Sequence, residues 1–147
     1  MNSFAKFLLI ASSAMLCDAA EPNPPSWDSN RVKIIDPSNS GWGQQAVDAI
    51  FAENGGNGVH GQFSDSRYAV MFKRGNHNVN VKVGFYTQIM GLGDTPQDVT
   101  LASLFCPNGD TDFRIGALDN FWRSVEGVQV NGKVTYAVSQ AAPMRRM

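Results

Sequence analysis

Cysteine is nearly absent from this 147-residue chain, which holds Cys17, Cys106 and only two histidines. That scarcity excludes a disulfide-dense miniprotein. An excess of charge of either sign is also missing, with 12 Lys and Arg against 13 Asp and Glu, so a basic nucleic-acid binder is excluded as well. A chain that is 43% hydrophobic and 17% charged is no long disordered tail, and its length fits one globular domain. No Asn-x-Ser/Thr acceptor is present, so N-glycosylation is not expected.

The one apolar run able to meet a membrane lies at the very start. A short polar segment carrying Lys6 leads into Phe7 to Leu16, too short to span a bilayer as a helix. Small residues follow, and cutting after Ala19, with Cys17 and Ala19 as the small-x-small pair, removes residues 1–19 as a signal peptide. The expected product is secreted and extracellular, with no membrane segment in the mature form. Leu16 is too bulky for a lipid-attachment site at Cys17. Cleavage leaves Cys106 as a single cysteine, with three readings: a small buried hydrophobe, an intermolecular disulfide, or a partner in sequence outside this chain.

Residues 20–30 form a Pro-rich linker, since Pro22, Pro24 and Pro25 prevent a helix. The folded unit is expected over 31–147. Arg31 to Asp36 alternates Val32 with Ile34 and stops at Asp36-Pro37, a short strand. Ser40 to Asn54 repeats Ala46, Val47, Ile50 and Phe51 at helical steps, with Ser40 as cap and Gly55-Gly56 as stop. The Gly-rich stretch from Asn54 to Ser66 lacks the Lys-Ser/Thr of a phosphate loop. Strand signals follow at Arg67 to Phe72, Val79 to Phe85, Tyr86 to Met90, Val99 to Leu104, Phe121 to Val130 and Val134 to Val138.

Asn131-Gly132 between two β-branched runs is a local signal for a tight antiparallel hairpin, hence a small antiparallel β-sandwich or barrel. The other architecture that fits is a parallel β-helix, where Asn131-Gly132-Lys133 turns a corner and Val134 leaves the sheet that holds Val125 to Val130.

Several stretches carry a family likeness: Gln45 to Ile50, Gln62-Phe63, Arg67-Tyr68-Ala69, Val83 to Thr87 and Gly91-Leu92-Gly93, then Asn120 to Ser124 and Ala137 to Arg146. Together they resemble the N-terminal part of secreted bacterial and fungal proteins with a pectate-lyase-like right-handed β-helix, some with a discoidin-type (coagulation factor 5/8-type) sugar-binding domain. The resemblance implies an all-β fold, a truncated right-handed parallel β-helix with one N-terminal capping helix formed by Ser40 to Asn54. It also implies a polysaccharide-directed system in which this stretch is cap and scaffold, with a polysaccharide or cell-wall glycan as partner. Because relatives continue through many more coils, the stop at Met147 is expected to mark a fragment whose catalytic residues lie elsewhere. The alternative function is a non-catalytic secreted β protein that binds glycan or a cell surface.

Polysaccharide lyases of that kind use Ca²⁺-binding carboxylates with an Arg or Lys base, and the related hydrolases use clustered Asp residues. Asp110, Asp112 and Asp119 lie on or beside a turn, and Asp110-x-Asp112 has the chemistry to hold Ca²⁺. The pair lacks the Gly and distal Glu of an EF-hand loop, so solvated turn carboxylates and no bound cofactor are expected. Arg123 either binds a sugar acid or packs its stem over Trp122 and pairs with Glu126 or Asp119. His60 and His77 read as loop histidines, with no metal expected at either. Asp110, Asp112 and Arg123 are therefore the candidate binding residues.

Overall fold

The computed structural model describes residues 27–55, 61–106, 121–136 and 143–147. The expected signal peptide, most of the expected linker, His60, Asp110, Asp112 and Asp119 lie outside the described residues. The strands are β1 (Val32–Ile35), β2 (Tyr68–Phe72), β3 (Gly75–Lys82), β4 (Thr87–Gly91), β5 (Val99–Cys106), β6 (Ser124–Glu126), β7 (Gln129–Val130), β8 (Val134–Tyr136) and β9 (Met144–Arg145). One sheet has the order β1-β2-β4-β6-β9, and the second sets β3 beside β5, with β7 and β8 both pairing with β5.

From β2 to β7 the chain visits the two sheets alternately, β8 stays in the second and β9 returns to the first, and every pairing among the described strands is parallel. Parallel register places like residues side by side. Val70, Ile89 and Val125 stand in one row of the first sheet, and Val81 pairs with Leu104 in the second. All five are buried in one cluster with Phe72, Val79 and Leu101. The alternation in β3 drives His77, Val79 and Val81 inward and leaves Asn76, Asn78, Asn80 and Lys82 outside. His77 is therefore a core residue on a strand, corrected from a loop histidine. Its Nε2 lies 2.7 Å from the Lys73 carbonyl oxygen, and its ring packs edge-on to Phe72 at 5.0 Å.

The helix α1 occupies Ser40–Asn54, the span its periodicity predicts. The cap differs from expectation: Asn39 holds the N-cap position, and the Ser40 hydroxyl donates to the Pro37 carbonyl at 3.0 Å. α1 packs chiefly on β3 and also on β1, the edge strands of the two sheets, and adds Val47 and Ile50 to the core. At its end, the Asn54 side chain donates to the Ser66 and Phe85 carbonyls at 3.1 and 3.0 Å, pinning the entry to β4.

The fold expectation is corrected accordingly. The chain is not all-β, because α1 shares the core of both sheets, and two parallel sheets with a packed helix replace the pectate-lyase-like right-handed β-helix. The antiparallel sandwich falls as well, since Asn131-Gly132 joins no hairpin. β7 and β8 run along β5 in the same direction, pairing Leu101 with Val130 and Leu104 with Val134. Asn131, Gly132 and Lys133 thus face only Ala102 and Ser103, a one-residue bulge, and Val134 stays in the sheet instead of turning a corner. Gly132 is there for room: a Cβ would sit 2.2 Å from the Ala102 carbonyl oxygen.

Candidate functional site: an aromatic groove at the strand starts

The residues just before the strands of the first sheet inherit its register. Tyr68 pairs with Thr87, and Gln88 with Ser124, so the preceding residues Arg67, Tyr86 and Trp122 fall on one line across β2, β4 and β6. The Arg67 guanidinium lies 3.4 Å from the centre of the Tyr86 ring. On the other side, Trp122 stacks on Tyr86 with centroids 5.2 Å apart and planes 1° apart. A parallel row beside it sets Arg31 over the Tyr68 ring at 5.1 Å. Phe121 buttresses the stack, meeting Trp122 edge-on at 5.8 Å and the buried Phe85 at 6.0 Å.

Tyr86 and Trp122 both adopt left-handed backbone, with φ of 51° and 54°. For a residue with a Cβ this conformation costs about 1–2 kcal/mol. The surroundings hold it in place: the Tyr68 amide donates to the Tyr86 carbonyl at 3.0 Å, and the Tyr86 amide to the Phe121 carbonyl at 3.3 Å. Strained aromatic residues at equivalent positions of neighbouring strands mark a place where ring orientation matters beyond packing.

These rows line a groove of about 890 Å³, with Arg31, Arg67, Gln88, Trp122, Ser124 and Pro143 around it. Trp122 is 48% exposed at the described end of the stack. Arg67 donates to the Ser64 and Ser66 carbonyls, so its guanidinium is fixed by backbone as well as by the ring. Arg31 sits 3.7 Å from Glu53. Glu53 also accepts from the Ser66 and Tyr68 hydroxyls, which, Ser66 first, hold its carboxyl below the usual range. The Tyr68 hydroxyl moves the opposite way, raised by burial and then by its bond to Glu53.

Glycoside hydrolases commonly set two carboxyl groups across the scissile bond. Among the described residues lining this groove there is no Asp or Glu, and no described group of His, Cys, Asp and Glu could hold a metal ion. The arrangement is suited to holding a flat, hydroxylated ligand by ring stacking and hydrogen bonds.

Of the candidate binding residues Asp110, Asp112 and Arg123, the structure describes Arg123. It is 1% exposed and also lines the groove, with its guanidinium carbon 4.9 Å from the Tyr136 ring. The Glu126 carboxylate is engaged by Arg145 at 2.7 Å. Cys106 is buried, and desolvation pushes its thiol up to about 11, far from a reactive thiolate. Motif and spacing do not single out Arg67, Tyr86 and Trp122 as site residues. The signal that points to them is the repeated aromatic pair, Phe85-Tyr86 and Phe121-Trp122, each placed just ahead of a strand.

Comparison with known proteins decides the relationship. The chain is 44% identical over 125 residues to an exo-beta-1,3-glucanase from Streptomyces sp. SirexAA-E, covering 79% of this chain and 19% of the relative. The chain is homologous to part of that glucanase. Its fold matches the structure of sacteLam55A from the same organism, with 41% identity, a TM-score of 0.67, and coverage of 80% of this chain and 21% of the other. A variant of sacteLam55A in complex with glucose matches at 40% identity and a TM-score of 0.68, over 83% of this chain and 22% of the other. No protein-family model matches. The likeness to pectate-lyase-like proteins is thereby corrected: the relatives are glucanases. The chain spans about a fifth of their length.

Proposed function

We propose that this chain is a carbohydrate-binding portion of a secreted, β-1,3-glucan-directed protein, and that the Arg67–Tyr86–Trp122 groove holds the glucan. The observation that carries the reading is the stack itself, two aromatic rings in strained backbone lined up by the sheet register, ending in a half-exposed Trp122 beside a groove with Gln88 and Ser124. Pyranose rings present flat C–H faces that pack on an exposed ring such as Trp122, which Tyr86 backs from the other side, while amide and hydroxyl side chains meet their hydroxyls. Homology to an exo-beta-1,3-glucanase supports glucan as the substrate class. Secretion is supported by the charge, apolar run and small residues of 1–19.

Affinity electrophoresis of the chain through gels containing soluble β-1,3-glucan tests this, with polygalacturonate as the acidic control. The chain should be retarded by the glucan and not by the control. Trp122→Ala should weaken retardation about tenfold, the effect of losing one aromatic platform worth about 1.4 kcal/mol. Equal mobility with and without glucan, or stronger retention by polygalacturonate, would sink the reading.

A further inference from the structure

We infer that the groove beside α1 is a second carbohydrate-contact surface, with Trp42 as its platform, and that one β-glucan chain engages it together with the Trp122 groove. This rests on the carbohydrate reading above and extends it from a single pocket to a track that selects for polymer length.

The second groove, of about 320 Å³, lies between α1 and the segment leading into β1. Trp42 is 41% exposed on α1. Ala46 and Ala49 follow it on the same helix face, four and seven residues on, and are too small to fill the space beside the indole. Asn30, Lys33, Gln45 and Glu53 supply its polar lining. Among the described residues the Gln45 amide makes no hydrogen bond, whereas the Lys33 ammonium donates to the Ser29 carbonyl at 2.7 Å. An aromatic platform with an exposed amide beside it repeats, in smaller form, the chemistry of the first groove.

The two grooves share one lining residue. Tyr68 lines both, with Arg31 over its ring and its hydroxyl donating to Glu53. A short oligosaccharide occupies one groove. A longer chain that passes over Tyr68 reaches both, and its second contact is intramolecular, so affinity rises with chain length without any change in the first groove.

Calorimetric titration of the full 147-residue chain with β-1,3-linked oligosaccharides of increasing length tests this. The trisaccharide should bind through the Trp122 groove, and chains of about ten sugars should bind about tenfold more tightly, a modest gain for a tethered second contact. Trp42→Ala should leave trisaccharide affinity unchanged and reduce the length gain to about twofold or less, since the tethered contact is lost. Gln45→Ala, at an exposed helix position where alanine is well tolerated, should reduce it in part. No gain with length in the parent, or a full gain in both variants, overturns the second surface while leaving the first intact if the trisaccharide still binds. Failure of the parent to bind at any length overturns both.

Discussion

Between the sheets, the parallel register lines up Val70, Ile89 and Val125 with no exposed surface at all. Along the strand-start margin of the same sheet it lines up Arg67, Tyr86 and Trp122, half open to solvent at one end. One geometric device serves two ends. In the interior it needs only aliphatic volume at alternating positions, which many sequences satisfy. At the margin it needs a cation, a ring and a second ring in order, two of them in left-handed backbone. The interior lowers the free energy of folding, while the margin spends a part of it on holding rings in a fixed orientation.

The largest effect that sets the two apart is expected from Phe72→Ala. Phe72 is fully buried beside His77, and its loss should destabilise the fold by about 3–5 kcal/mol in urea unfolding. Tyr86→Ala and Trp122→Ala should each cost about 1 kcal/mol, because the stacked rings lose their pair contact but open no sealed cavity. Equal losses on both sides would break the distinction between a stabilising interior and a binding margin.

A finer test compares two replacements at one position. With φ at 54°, Trp122→Ala keeps the backbone penalty and loses the ring, whereas Trp122→Gly loses both. The glycine variant should be the more stable by about 1 kcal/mol, and both should lose glucan binding alike. If alanine is as stable as glycine, the left-handed backbone carries no cost and the strain argument for the margin fails.

How much of this is legible in the sequence follows from the same contrast. The helical repeat of Val47 and Ile50 is a local pattern and suffices to locate α1, whereas the alternation of Val79, Val81 and Val83 finds a strand but sets it at Val79 to Phe85, where β3 spans Gly75–Lys82. Extended one step toward the N-terminus, the same alternation places His77 inside. Strand pairing is harder to read, because Asn131-Gly132 has the local chemistry of a hairpin, and only the tertiary pairing of Val130 and Val134 with β5 turns it into a bulge. The groove is least legible of all: Arg67, Tyr86 and Trp122 are 19 and 36 residues apart, spacings that mean nothing until the register is known. Asp110 and Asp112 stand out instead because they are close in sequence, and they lie outside the described residues.

The smallest expected effect concerns the opposite margin of the first sheet, where Asp36 follows β1. Its carboxylate accepts from the Ser38 hydroxyl at 2.6 Å and the Ser38 amide at 3.0 Å, and the Lys73 ammonium sits 3.3 Å away. These contacts, the Ser38 hydroxyl foremost, lower its pKa from 3.8 to about 2. The folded state therefore holds Asp36 ionised where the unfolded chain would already take up a proton. The stabilisation is complete above pH 3.8 and is lost as pH falls through that value to about 2. Asp36→Asn keeps an acceptor for Ser38 but cannot titrate, so its melting temperature should fall less steeply than the parent's across that window. The exposed site limits the difference to a small one, involving a single proton at most. Parallel acid profiles would show that Asp36 titrates alike in the folded and unfolded chain and would sink the argument; a shallower profile for the variant shows that this margin holds an ionised carboxylate, in contrast to the stacked aromatic edge at the strand starts.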